Sequence, residues 1–235
     1  GTLVNALQKR VFESGIHGPE GHPLSRPDVC EAEAVSRLLY LAHLAGDARV
    51  NVVHLSTKLG LEAIRAAKAR GQKNIFVETC PQYLLLDDTC FLRDGQDGLE
   101  GLEFVMSPPP RKPADRAALR EALVNGEIDT IATDHCSFNI HGQKDRGRDD
   151  FRKVPNGGAG VEHRPALIAT TFADELGPTD LCRLMSENPA KVFGMWPAKG
   201  RLAEGADADI CVWDPSVSWT ISAATQHQNV DHTPY

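Results

Sequence analysis

Two places in this 235-residue sequence carry side chains suited to metal or proton chemistry at the end of an apolar run. His54 directly follows Val52-Val53, and Asp134-His135 directly follows Ile131-Ala132-Thr133. A neutral imidazole is a good ligand for zinc and similar ions, and a carboxylate serves both as a ligand and as a proton acceptor. In parallel α/β folds the carboxyl ends of strands face the active site, so a His and an Asp at two strand ends point to one shared site. Each alone has a plainer reading. A strand-end His is commonly a satisfied polar group, and a strand-end Asp commonly caps a loop or helix. His17, His22, His43, His141, His163, His227 and His232 show no ligand-type spacing, and the chain contains neither HxH nor HExxH. A GxSxG elbow, a Walker loop and a GxGxxG between strand and helix are absent as well, which leaves serine-hydrolase and phosphate-cradling readings without support. Asn156-Gly157-Gly158-Ala159-Gly160 is glycine-rich but follows no strand, and reads as a flexible loop. Cys80 and Cys136 each follow a strand and read as buried, inert thiols.

The elements that must position these groups alternate in type. Residues 50–55, 74–79 and 129–133 read as strands. Between and around them, 2–13, 27–45, 59–70, 112–125, 161–176 and 179–193 read as helices, the last as one or two. Pro27 opens the second of these, with Asp28, Glu31 and Glu33 favouring its amino-terminal dipole. Its residues Ala34, Val35, Leu38, Leu39, Leu41, Ala42 and Ala45 fit a buried face, and Gly46 ends it. Strands alternating with helices imply βα units and a parallel sheet or barrel. From about Gly200 the texture changes: residues 209–214 and 219–221 read as strands with no helix between them, the start of a small β domain. Two long loops, 87–101 and 138–160, are of a length that usually serves a site.

Composition narrows the function classes. The chain is 41% hydrophobic and 24% charged with a formal net charge of −7, an ordinary globular balance that disfavours a nucleic-acid surface. No apolar run reaches the roughly 18 residues a membrane span needs, and Gly1-Thr2-Leu3-Val4-Asn5 has no secretory pattern. The six cysteines form no CxxC pair and read as reduced thiols of a cytoplasmic protein. A small-molecule or protein partner is expected, with no nucleic acid and no membrane.

The order of short motifs then resembles a known family. Gly18-Pro19-Glu20-Gly21-His22-Pro23-Leu24-Ser25-Arg26-Pro27, Val53-His54-Leu55-Ser56, Glu78-Thr79-Cys80-Pro81-Gln82-Tyr83-Leu84 and Ser107-Pro108-Pro109-Pro110-Arg111 resemble segments of dihydropyrimidinases and D-hydantoinases. So do Thr133-Asp134-His135-Cys136 with Pro155-Asn156-Gly157-Gly158, and Asn188-Pro189-Ala190-Lys191 with Gly205-Ala206-Asp207-Ala208-Asp209. The resemblance covers the chain in order. It implies a (β/α)8 barrel with a small β-sandwich, of which residues 1–199 form the last three strands and helices of the barrel and 200–235 part of the sandwich. It also implies metal-dependent hydrolysis of cyclic amides or imides, the dihydropyrimidines and 5-substituted hydantoins, to N-carbamoyl amino acids. Carried over by position, His54 and Asp134 match metal ligands, Asp134 also matches the catalytic proton shuttle, and Ser107 and Asn156 match positions that hold the substrate.

The family further implies two divalent ions, zinc in most members, bridged by a carboxylated lysine, and a homotetramer at full length. Its HxH pair, that lysine, a further histidine and a tyrosine over the oxyanion have no counterpart here. With two ligand-type groups the chain is expected to be inactive alone, as part of a hydrolase that begins upstream of Gly1 and continues past Tyr235. The alternatives are a non-catalytic relative of the collapsin response mediator type, and a cyclic amidohydrolase acting on allantoin or dihydroorotate. The Gly18–His22 loop and the Ser107–Arg111 turn lean away from the second.

Overall fold

The computed structural model describes residues 1–95 and 97–235. Three short strands, β1 (Val50–Val52), β2 (Ile75–Thr79) and β3 (Thr130–Ile131), form a parallel sheet in the order β1-β2-β3. Val50 pairs with Ile75 and Val52 with Val77, and further along β2, Glu78 pairs with Thr130 and Thr79 with Ile131. Because all three run the same way, their carboxyl ends open onto one edge. Alternation decides which face is dry: Val50, Val52, Ile75, Val77 and Thr79 are buried, while Asn51, Phe76 and Glu78 lie half-buried on the other face.

The buried face is covered by α3 (Asp28–Leu44), α4 (Lys58–Ala69) and α7 (Pro113–Val124), with α3 against α4 and α4 against α7. Their core includes Leu39, Leu61, Ile64, Ala67, Leu119, Leu123 and Ile128. Local chemistry sets their ends. Asp28 and Glu31 occupy the first turn of α3, and Gly46 takes φ 80° beyond its last turn. Thr57 caps α4 by accepting from the Gly60 N–H at 3.0 Å, and Asp115 of α7 accepts from the Lys58 N–H at 2.8 Å. The apolar face of α3 is narrower than its sequence suggests. Val35, Leu39 and Ala42, spaced four and three apart, are buried, whereas Leu38, Leu41 and Ala45 face outward.

The amino-terminal α1 (Thr2–Glu13) is followed by the short α2 (Gly21–Leu24) inside the Gly18–Pro27 segment, and α5 (Pro81–Leu85) directly follows β2. The loop at 87–101 and its continuation contain a 3-10 turn at Asp88–Leu92 and α6 (Glu100–Glu103), and the loop at 138–160 contains two more 3-10 turns. The two loops pack on each other through Cys90, Phe91, Leu99, Leu102, Phe104, Val105, Ile140 and Val154, a second core separate from the first. Then come α8 (Arg164–Thr171), α9 (Pro178–Cys182) and α10 (Asn188–Val192). A π turn at Arg183–Glu187 joins the last two where Pro189 removes a backbone donor. Asn188 donates to the Asp129 carbonyl at 2.7 Å and so ties this helix to the entry of β3.

The strands expected at 209–214 and 219–221 do not form among the described residues. A strand exists only against a partner, and no segment among the described residues pairs with them. Ile210, Val212, Trp213, Val217 and Trp219 are left exposed, Val212 at 92%. The end of the chain returns to the first part instead. Asp231 accepts from the Ile140 and His141 N–H groups at 2.7 and 3.0 Å, and the Tyr235 hydroxyl donates to Gln82 Oε1 at 3.3 Å. No helix among the described residues is long and apolar enough to cross a membrane.

Candidate active site

His54 and Asp134 both stand just beyond strand ends on the open edge of the sheet, on alternate strands with β2 between them. Both adopt a left-handed backbone, φ 43° at His54 and φ 49° at Asp134. Only one other non-glycine residue among those described does so, Asp47 in the turn after α3. Such geometry is uncommon for residues with a Cβ and concentrates where the surroundings force a side chain into a working position. Partial burial pushes the Asp134 carboxyl up, and the neighbouring His54 side chain partly offsets that rise. His54 Nδ1 is buried and has no hydrogen-bond partner. An orphaned imidazole nitrogen near a carboxylate fits a missing electrophile such as a metal ion. Among the described residues no three His, Cys, Asp or Glu side chains gather into a metal-holding group, so this chain offers His54 and Asp134.

Between them, Glu78 is pushed up by burial, partly offset by hydrogen bonds from the His54 backbone and the Asn51 side chain. The segment carrying His54 is pinned from behind. Glu31 of α3 accepts from the Ser56 N–H at 3.0 Å, from the Ser56 hydroxyl at 2.8 Å and from the Thr57 hydroxyl. Arg111, last residue of the Ser-Pro-Pro-Pro-Arg turn, donates to Ser56 Oγ at 3.0 Å and to the Arg26 carbonyl.

Ser107 and Asn156, 49 positions apart in sequence, meet: Ser107 Oγ donates to Asn156 Oδ1 at 3.2 Å. The glycine-rich segment after Asn156 is stitched in place rather than loose. Cys136 N–H donates to the Gly158 carbonyl at 3.1 Å, and Gly157 N–H donates to the Val105 carbonyl at 3.0 Å. His135 Nδ1 accepts from the Gly160 and Val161 N–H groups at 3.2 and 3.3 Å, so this imidazole holds the loop. The expectation of a flexible loop is therefore corrected: backbone bonds to the end of β3 fix it, and residues 157–160 are buried. The expectation for the thiols divides. Cys80 is buried, and burial pushes its thiol up, whereas Cys136 is exposed because the strand has already ended before it. Sequence reading passed over two buried polar side chains of the support, His22 and Lys144. His22 Nε2 bonds the Met106 carbonyl at 2.7 Å, next to Ser107.

The model of the amidohydrolase family matches residues 25–234. This chain belongs to the amidohydrolase family. Members generally work with a binuclear metal centre. The amidohydrolase chain is 41% identical over 234 residues to D-phenylhydantoinase of Escherichia coli O81 (strain ED1a), spanning 99% of this chain and 50% of that protein. The chain thus spans about half the length of the curated relatives it matches. The structure of dihydropyrimidinase from Brevibacillus agri NCHU1002 superposes with a TM-score of 0.93 at 40% identity, over 100% of this chain and 50% of the other. D-Hydantoinase (dihydropyrimidinase) from Thermus sp. gives 0.93 at 40% identity, over 99% and 50%. The sheet is accordingly an arc of the barrel these relatives share, with its helices outside.

Gly157 is the position where this arrangement tolerates least. A Cβ there would lie 2.1 Å from the Cys136 carbonyl oxygen and 2.9 Å from Cys136 Cβ, neither of which can swing aside. Gly157→Ala must therefore part the Asn156 loop from the Asp134–Cys136 segment. For the hydrolase activity proposed below, the expected result is a roughly hundredfold loss of catalytic efficiency in the full-length protein, in line with the cost of small misplacements at a reacting centre. Steady-state kinetics with a far-ultraviolet spectrum checks it; efficiency within twofold of wild type contradicts the close-packing argument.

Proposed function

We propose that the full-length protein containing this chain hydrolyses the cyclic amide bond of dihydropyrimidines or 5-substituted hydantoins to N-carbamoyl amino acids. The observation that carries the reading is the left-handed pair His54 and Asp134 on the open edge, with the Ser107–Asn156 pair stitched beside it. The names of the relatives support the substrate class. In this reading Asp134 takes a proton from the attacking water and returns it to the departing ring nitrogen, general base and then general acid. Ser107 and Asn156 grip and orient the ring amide, largely through main-chain groups. His54 and Asp134 would each hold a divalent ion. When bound, a pair of such ions, zinc in this proposal, acidifies a water and polarises the ring carbonyl.

The remaining ligands, including the bridging carboxylated lysine, would come from outside this chain. Residues 200–235 are assigned with the same proposal to a small β domain beyond the barrel part at 1–199, whose absent strands would cover Val212, Trp213 and Trp219. A homotetramer in the cytoplasm completes the reading, supported for the compartment by six free cysteines.

The test is a ring-opening assay of the full-length protein on dihydrouracil and a panel of hydantoins, with metal content measured on the same sample. Turnover that is lost with chelator and restored by zinc is expected. A folded protein that binds no metal and opens no ring would instead be a non-catalytic relative. Turnover of allantoin or dihydroorotate alone would move the substrate class.

A further inference from the structure

Lys144 is a charged side chain placed where an apolar one would pack. It is 0% exposed and sits at the start of a 3-10 turn beside the core of Phe91, Leu102, Phe104, Val105, Ile140 and Val154. Its ammonium donates to three main-chain carbonyls: Val105 at 2.8 Å, Leu102 at 3.3 Å and Pro155 at 3.4 Å. Every proton of the ammonium is thereby used. The three acceptors come from two stretches of chain. Leu102 and Val105 lead into Ser107, and Pro155 immediately precedes Asn156. The same Val105 carbonyl also receives the Gly157 N–H at 3.0 Å. Burying a charge costs free energy that an aliphatic side chain would avoid. What the ammonium supplies, and no hydrocarbon can, is a common point binding the carbonyls of both stretches.

We propose that Lys144 is a positioning residue for ring opening, its ammonium setting the spacing between the Ser107 and Asn156 segments that hold the cyclic amide. The inference rests on the proposed hydrolase function and on the reading of Ser107 and Asn156 as its substrate-holding positions. Lys144 bonds the carbonyls of the stretches that lead into Ser107 and Asn156, and acts through those stretches. The titratable groups facing it are Glu103 and Cys136, with His22 and His232 on its other sides. Burial brings its own proton affinity down to about 7. Deprotonation would remove one of three donors and the charge that strengthens the others.

The experiment uses the full-length enzyme with Lys144→Met, close in volume and without donors, and with Lys144→Gln, which keeps two donors and no charge. Wild-type ring opening is measured first. Lys144→Met is expected to raise KM roughly tenfold to hundredfold while kcat falls less than threefold and metal content is unchanged. Lys144→Gln should fall between the two, and serves alone if the Met variant does not fold. In an Asn156→Ala background the KM effect of Lys144→Met should shrink, because the two share one path of action. An active wild type whose Lys144 variants lose thermal stability but keep KM, or whose effects add fully to Asn156→Ala, overturns the positioning role and leaves the functional reading standing. A wild type that opens no ring overturns the functional reading, and this inference with it.

Discussion

On the proposed hydrolase function, Asp134→Asn in the full-length protein is expected to lower kcat/KM for ring opening by about a thousandfold or more, with little change in thermal midpoint. The size follows from what the substitution removes: general acid-base transfer alone is worth roughly a hundredfold to ten-thousandfold, and here the same carboxylate is also offered as a metal ligand. The selectivity follows from the backbone. Asp134 sits at φ 49°, and asparagine is among the few residues that accept this region readily. The exchange therefore keeps the turn at the end of β3, the His135 bonds to Gly160 and Val161, and the Cys136 bond to Gly158. Asp134→Ala would be a poorer probe, because alanine gains nothing from that conformation and the turn itself would relax. Steady-state kinetics, thermal unfolding and metal content on one preparation check the result. Activity above a tenth of wild type would remove Asp134 from the proton-transfer role, and a collapsed thermal midpoint would show that its contribution is to the turn.

The parts of this architecture written in local signals are legible in the sequence. Pro27 with Asp28 and Glu31, and Pro113 with Asp115, mark helix starts, and the parallel sheet follows from strands separated by whole helices. His54 and Asp134 are visible because strand ends are visible. Their left-handed backbones are not, since φ at a single residue is set by what packs around it. Nor are the supports. His22 and Lys144 act on carbonyls 84 and 39 positions away, and a backbone carbonyl leaves no mark in a sequence pattern. The segments at 209–214 and 219–221 show the converse. Their short apolar runs are a strand signal, but a strand is a property of two segments, and no segment among the described residues pairs with them. The wide apolar face read for α3 errs for a related reason: helical periodicity counts apolar residues, whereas burial depends on the width of what lies opposite, here α4 and the edge strand β1.

His22 should make the fold acid-sensitive, and the direction follows from its two bonds. It is 1% exposed, with Nε2 donating to the Met106 carbonyl at 2.7 Å and Nδ1 accepting from Arg26 Nη1 at 3.1 Å. Both ring nitrogens are thus committed to the neutral imidazole. A second proton on Nδ1 would face the Arg26 guanidinium inside the protein, and burial together with that charge lowers the His22 pKa from 6.5 to about 3. Between those values the unfolded chain binds a proton that the folded chain refuses. Stability is therefore fully present above pH 6.5 and is lost as pH falls toward 3, at about 1.4 kcal/mol per pH unit and on the order of 5 kcal/mol in all. His232, lowered by burial to about 4, contributes with the same sign in an overlapping window, so the informative quantity is a difference between variants. His22→Gln retains one donor and one acceptor but cannot titrate. Its denaturant unfolding, measured from about pH 7.5 to about pH 4 beside wild type, should show a shallower loss by roughly one proton's worth of slope. Parallel curves would place the His22 proton in both states and refute the buried neutral pair.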